Sequence, residues 1–167
     1  MPTDLAIVSD THVPGREPEV PAWVRTRLRE ADHVVHAGDF DAPETLAEIR
    51  DLSTELTAVA GNIDPPTVDL PSVATVEVEA VTFVVVHGTG PHDSWPERVA
   101  GVVHETVDDH SRVVGVAGHT HAPADRTVDG IRLLNPGSAT GARPASRTTM
   151  LSVRVDGETL DVELHEE

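Results

Sequence analysis

The sequence predicts an α/β fold in which two mixed parallel and antiparallel sheets pack face to face with helices outside. Three observations predict it. Short β-branched runs alternate with longer helical segments over the first two thirds, strand pairs joined by Asp-Gly fill the last third, and the available core is almost wholly aliphatic. The 167 residues include 2 Trp, 2 Phe and no Tyr, so Val-rich runs must supply the interior. Single domains run to about 100–200 residues, and residues 1–167 are read as one domain. An apolar fraction of 38%, with 12 Gly beside it, excludes a disordered acidic tail.

The elements follow in order. Asp4 to Ser9 reads as a strand, Val20 to Ala31 as a helix, His33 to Ala37 as a strand, Pro43 to Leu52 as a helix and Leu56 to Ala60 as a strand. This βαβαβ run implies parallel strands. Val73 to Val78 and Thr82 to Val86 are separated only by Glu79-Ala80-Val81 and read as a hairpin, followed by a helix at Ser94 to Asp108 and a strand at Val113 to Ala117. Then come short strands at Arg126 to Val128, Ile131 to Leu134, Thr148 to Val155 and Thr159 to Leu164. Asp129-Gly130 and Asp156-Gly157 join two pairs of them, so the back half is expected to be an antiparallel meander.

Composition narrows the chemistry. There is no cysteine, which removes disulfides, thiol nucleophiles and thiolate metal sites, so any metal must be held by His, Asp, Glu or Asn. Apolar runs such as Val81 to Val86 are far short of the roughly 20 residues that span a bilayer, and Met1-Pro2-Thr3-Asp4 has no basic n-region. A soluble, cytoplasmic protein is expected. Asp+Glu 29 against Lys+Arg 12 gives a net charge of −17, and every basic residue is Arg. That balance looks halophilic, and it argues against nucleic acid or an anionic membrane as a partner.

Each apolar run ends in a residue able to bind a metal. Leu5 to Ser9 leads to Asp10 and His12, Val34 to Gly38 to Asp39, Thr57 to Gly61 to Asn62, Phe83 to Val86 to His87, and Val113 to Gly118 to His119 and His121. Strand C-termini are where open α/β sheets build their sites. Asp10 and His12, like His119 and His121, are two apart, so in extended backbone each pair points to one side. Seven such residues at one sheet edge would be a costly cluster without cations to balance it. A mixed N/O set without sulfur suits Mn, Fe, Ni or Zn.

In order and spacing, Asp10-Thr11-His12, Gly38-Asp39, Gly61-Asn62-Ile63-Asp64, His87-Gly88 and Gly118-His119-Thr120-His121 resemble the five signature blocks of the calcineurin-like metallophosphoesterase superfamily. The short chain and Asn135-Pro136-Gly137-Ser138 resemble its small prokaryotic phosphodiesterase branch, relatives of the retromer scaffold subunit. The resemblance implies a four-layer α/β/β/α sandwich and a centre of two divalent ions, manganese foremost, with nickel, iron or zinc as alternatives. It implies that Asp10, His12 and His121 hold the first ion, Asn62, His87 and His119 the second, and that Asp39 bridges them. A metal-bridging hydroxide would attack phosphorus, with Asp39, Asn62 and His12 the residues closest to catalysis.

The departures bear on activity. Active members usually carry His where Ile63 stands, and that His protonates the leaving oxygen; Ile63 carries no such proton, so poor leaving groups should react slowly. The small branch often has a further His where Thr89 stands; nearby His92 is read as a solvated residue of a Gly/Pro-rich loop, with a substitute for that His as the alternative. Asp64 is expected to cap or form a turn. Asn135 to Ser138 is expected to turn near the metals, with Asn135 and Arg143 as substrate contacts and Arg147 as either a contact or an ion-pair partner. His33 and His36 are read as packing residues, Trp23 and Trp95 as anchors, and His104, His110 and His165 as free of function. The expected activity is metal-dependent hydrolysis of a small phosphodiester or nucleotide. The alternatives are a phosphomonoesterase or pyrophosphatase on the same centre, or a catalytically weak metal-binding scaffold for protein partners. The faces of the back-half strands leave room for a homo-oligomer.

Overall fold

The computed structural model describes residues 1–167. Ten strands and three α-helices follow the order β1 (Thr3–Val8), α1 (Ala22–Glu30), β2 (His33–His36), α2 (Pro43–Leu52), β3 (Leu56–Ala58), β4 (Val73–Val78), β5 (Val81–Val86), α3 (Trp95–Thr106), β6 (Val113–Val116), β7 (Ala124–Val128), β8 (Ile131–Asn135), β9 (Thr149–Asp156) and β10 (Thr159–Glu166). Single 3₁₀ turns lie at Pro66–Val68 and His92–Ser94. The helices start where local chemistry favours a start. Pro43 opens α2 with Glu44 in its first turn and Arg50 in its last, and Pro96 and Glu97 sit in the first turn of α3.

The strands form two five-stranded sheets, ordered β10-β9-β1-β2-β3 and β4-β5-β6-β8-β7. β1, β2 and β3 run parallel, as do β5, β6 and β8, while β9, β10, β4 and β7 add antiparallel neighbours. β2 and β6 are buried along their whole length, as continuous apolar runs covered on both faces should be. One cluster, including Leu5, Ile7, Val35, Phe83, Val114 and Leu151, fills the space between the sheets. α1 and α2 pack through Val24, Leu28, Leu46 and Ile49 on the outer face of the first sheet, and α3 packs through Trp95, Val99 and Val103 on the second. The layers are therefore α/β/β/α.

One expectation is corrected. The back half is not a meander, because its two hairpins lie in different sheets: β7-β8 joins β6, and β9-β10 joins β1. An Asp-Gly turn fixes only the pairing of the two strands it connects, as Asp129 (φ 51°) and Gly130 (φ 78°) do here. Which sheet a hairpin joins depends on long-range packing. The crossing is made by residues 136–148, which pass the ends of β1 and β6.

Candidate metal centre

The seven candidate ligands follow strand C-termini: Asp10 and His12 after β1, Asp39 after β2, Asn62 after β3, His87 after β5, His119 and His121 after β6. Since β1, β2 and β3 belong to one sheet and β5 and β6 to the other, the site is built across both sheets rather than along one edge. The residue pairs do not sit in extended backbone either. Asp10 (φ 54°), His12 (48°), Asp39 (65°), His119 (74°) and His121 (62°) are left-handed, as is Asp41 (83°). Such a conformation costs a non-glycine residue ~1–2 kcal/mol, and it persists only where surroundings over-determine it.

Those surroundings are explicit. Asp10 N–H donates to the Gly38 carbonyl at 2.9 Å and His12 N–H to the Asp39 carbonyl at 3.1 Å, stitching the β1 and β2 loops together. Asp64 accepts from the N–H groups of Asp39, Phe40, Asp41 and Gly61 at 2.7–2.9 Å, so the expected turn residue in fact organises two loops at once. Gly38 (φ 101°) has no room for a Cβ, which would lie 2.8 Å from His87 Nδ1 and from Gly61 N.

Five candidates converge. Asp10 Oδ2 is anchored by Ser9 Oγ at 2.7 Å and by His119 N–H at 2.9 Å. Its Oδ1 faces the interior of the site, 3.3 Å from His121 Nε2 and 3.8 Å from His12 Nε2 and His87 Nε2. Asp39 Oδ1 accepts from Ile63 N–H at 2.9 Å, while Oδ2 lies 3.1 Å from His87 Nε2 and 3.5 Å from His12 Nε2. Asp10, His12 and His121 form one compact trio, and Asp10, Asp39 and His87 a second. Asn62 and His119 stand apart from these trios and face each other, Oδ1 to Nδ1, at 3.2 Å.

Each histidine has its other nitrogen occupied. Nδ1 of His12 meets Asp41 Oδ1 at 2.7 Å, Nδ1 of His87 donates to the Ala37 carbonyl at 2.7 Å, and Nδ1 of His121 donates to the Ala142 carbonyl at 2.8 Å. Their Nε2 atoms are thereby left free to bind. His119 is reversed: its Nε2 is 3.0 Å from the Gly90 carbonyl, so Nδ1 faces Asn62. Outer partners of this kind fix ring orientation and tautomer in metal sites.

Electrostatics agree. Burial pushes the Asp10 carboxyl up, but His121, His87 and Ser9 pull it below the ordinary carboxylate value. Asp39 ends low in the same way, through His87 and the Ile63 N–H. Burial pushes His87 and His121 down, but the adjacent carboxylates raise both. Burial and the neighbouring His87 lower His119. Two buried carboxylates thus require positive charge beside them. Asp10 Oδ1, His12 Nε2 and His87 Nε2 are buried without a hydrogen-bond partner and point at one another, which fits a cation held among them.

The other candidates divide. Asn135 is buried; its amide donates to the Gly118 carbonyl and to Thr120 Oγ1, and its oxygen accepts from Gly137 N–H. Both amide hydrogens and one lone pair of the oxygen are thus engaged within the protein, and the side chain braces the His119–His121 loop. Gly137 takes a left-handed angle in this turn, φ 74°. Arg143 is exposed, and only its carbonyl is engaged, by Arg16. Arg147 pairs with Glu166 at 2.7 Å beside a concavity of roughly 520 Å³ that His92, Thr120 and His121 also line. Ile63 is 46% exposed. Asp41 went unnoticed in the sequence, although its i+2 spacing from Asp39 repeats that of Asp10 and His12.

Comparison with known proteins agrees with this geometry. The model of the calcineurin-like phosphoesterase superfamily domain matches residues 4–158. A probable metallophosphoesterase of Methanothermobacter thermautotrophicus is 32% identical over 161 residues, covering 96% of this chain and 90% of its own. A Thermotoga maritima protein solved by solution NMR superimposes with TM-score 0.76 at 31% identity, covering 99% of both chains. Chaetomium thermophilum Vps29 superimposes with TM-score 0.79 at 18% identity, covering 99% of this chain and 97% of its own, a likeness of fold alone.

Proposed function

The chain belongs to the calcineurin-like phosphoesterase superfamily, and from that premise we propose that it is a metal-dependent phosphodiesterase acting on a small phosphodiester or nucleotide. The observation that carries this reading is the trio of orphaned buried atoms, Asp10 Oδ1, His12 Nε2 and His87 Nε2, which faces the free Asp39 Oδ2. Asp10, His12 and His121 would hold one divalent ion, Asn62, His87 and His119 would hold a second, and Asp39 would serve both. When bound, two such ions activate water at neutral pH and neutralise charge on the phosphoryl oxygens. Manganese is the proposed metal, with nickel, iron and zinc as alternatives from the same donor chemistry.

The chain's own groups do the positioning. Asp41 holds His12 in the tautomer that offers Nε2, and the Ile63 N–H holds Asp39 by Oδ1 so that Oδ2 turns inward. The Ile63 side chain has no proton to give a departing oxygen. A positioned general acid contributes ~10²–10⁴ in rate, so esters with good leaving groups are favoured. Arg143, exposed on the 141–147 loop whose Ala142 carbonyl holds His121, is the proposed phosphate contact. Residues 1–167 act as one domain. No helix is long and apolar enough to cross a membrane, and a cytoplasmic location without nucleic-acid partners suits the charge of −17.

A second reading, a protein-binding scaffold on the same fold, is favoured by Ile63, an apolar side chain exposed beside Asp39. Hydrolysis of bis-p-nitrophenyl phosphate and p-nitrophenyl phosphate, with and without Mn²⁺ in molar KCl, separates the readings. Mn-dependent cleavage that prefers the diester and vanishes in Asp39→Ala is the expected result. Preference for the monoester would move the activity to a phosphomonoesterase. No cleavage by folded, metal-loaded protein would leave the scaffold.

A further inference from the structure

Three of the four site histidines are held from behind by parts of the fold with little freedom to move. Ala37 directly follows β2 and is wholly buried, Ala142 is wholly buried, and Asp41 is pinned by Asp64. His119 is the exception. Its Nε2 lies against the backbone of Gly90, 3.0 Å from the carbonyl and 3.4 Å from the N–H, so the shorter contact makes the carbonyl its acceptor; Gly90 belongs to a loop from Gly88 to Ser94 that contains two positive-φ glycines and no strand. Something must hold that loop.

Arg98, on α3, spans it. Nη2 donates to the Gly88 carbonyl at 2.8 Å, and Nη1 donates to the Pro91 carbonyl at 3.1 Å and to Ser94 Oγ at 2.9 Å. The guanidinium also lies flat against Gly90: a Cβ there would meet Cζ, Nε and Nη1 of Arg98 at 2.7–2.9 Å, and Gly90 itself is at φ +135°. Nε is buried with no partner, so the side chain accepts an unpaired donor in order to make these contacts. One planar fork therefore fixes the residues on both sides of Gly90 and the face of Gly90 itself.

We propose that Arg98 is a positioning residue for the second cation. It clamps the 88–94 loop so that the Gly90 carbonyl takes the His119 Nε2 proton and leaves Nδ1 facing Asn62 Oδ1 as a joint pair of ligand atoms. The proposal rests on the two-ion reading of the centre. In a neutral imidazole only one nitrogen donates. With the proton on Nε2, Nδ1 and Asn62 Oδ1 turn lone pairs toward each other across 3.2 Å, an arrangement that a shared cation relieves. Lysine cannot reproduce the effect, because an ammonium supplies the charge without the planar fork.

The test is Mn²⁺ binding to the whole chain by calorimetry, with EPR detection of exchange-coupled ion pairs, for wild type, Arg98→Ala, Arg98→Lys, His119→Ala and the Arg98→Ala/His119→Ala pair. Two ions are expected in wild type. In Arg98→Ala the first ion binds as before, the second binds ~10–100-fold more weakly and the coupled signal is lost; Arg98→Lys behaves alike. The double variant is no weaker than His119→Ala alone, since Arg98 acts through His119. Gly90→Ala, whose Cβ would displace the guanidinium, gives the same selective loss and replaces Arg98→Ala should that variant not fold. Equal weakening of both ions, an unchanged second ion, or additive losses in the double variant would overturn the proposal. Wild type binding fewer than two ions would overturn the two-ion reading along with it.

Discussion

His36 shows how a single residue links the site to stability. It lies beneath the β1 and β2 loops, stacked on Phe40 with ring centroids 3.7 Å apart. Gly38 N–H donates to its Nδ1 at 3.0 Å, so Nε2 carries the proton and donates to Thr11 Oγ1 at 2.7 Å. Complete burial drives the imidazole down from 6.5 to about 3, and the Asp10 and Asp39 charges offset only part of that. Between those values the unfolded chain binds a proton that the folded chain refuses. The stability His36 confers is therefore complete above pH 6.5 and is lost as pH falls toward 3, by at most ~1.4 kcal/mol per pH unit. Urea unfolding in EDTA at pH 7.5, 6 and 5 should show His36→Gln with a shallower loss than wild type; equal slopes would refute this. The sequence made His36 legible as a packing residue and the seven ligands legible as strand-end residues. Asp41 left only the faint signal of its i+2 spacing from Asp39, and Arg98 left none, because an Arg on a helix acquires such a role only from what the fold sets opposite it.

At the scale of elements, α3 fixes the spacing between the β5 and β6 loops. Its first residue, Trp95, is buried, donates from Nε1 to the Gly118 carbonyl at 2.8 Å and leaves no room for a Cβ on Gly88. One side chain thus touches the residues adjoining both His87 and His119. Trp95→Phe keeps most of the apolar contact, and Gly118 retains the Asn135 amide as a donor, so a loss of ~1 kcal/mol is expected. Trp95→Ala should cost ~3–5 kcal/mol through the cavity it leaves. Chemical denaturation measures both, and equal losses would mean that the indole hydrogen bond, not packing, carries the contact. Helices and strands were legible here because periods of 3.6 and 2 are local properties. The assignment of β7-β8 and β9-β10 to separate sheets was not, since the apolar faces of both hairpins suit either side of the same interior.

For the whole molecule, charge is the dominant unresolved force. With 29 carboxylates and 12 Arg, 29 − 12 = 17 acidic groups would lack a basic partner even if every Arg were paired. The observed pairs, such as Arg112–Glu158 at 2.6 Å and Arg132–Asp125 at 2.8 Å, lie at the surface, where each contributes ~0–1 kcal/mol. They cannot offset repulsion summed over the surface, and the aliphatic core has few aromatic side chains to strengthen it. Salt should therefore stabilise the fold. The Debye length falls from ~10 Å at 0.1 M to ~3 Å at 1 M, so screening alone raises Tm steeply at first and then saturates near 1 M. Calorimetric scans in EDTA at 0.1, 0.3, 1 and 3 M KCl should show that early rise. A further climb between 1 and 3 M would mark cation and water binding by the carboxylates, the behaviour of a halophilic protein, whereas a plateau would mark an acidic protein that needs only screening. A Tm that is flat or falls between 0.1 and 1 M would refute charge repulsion as the force that limits this fold.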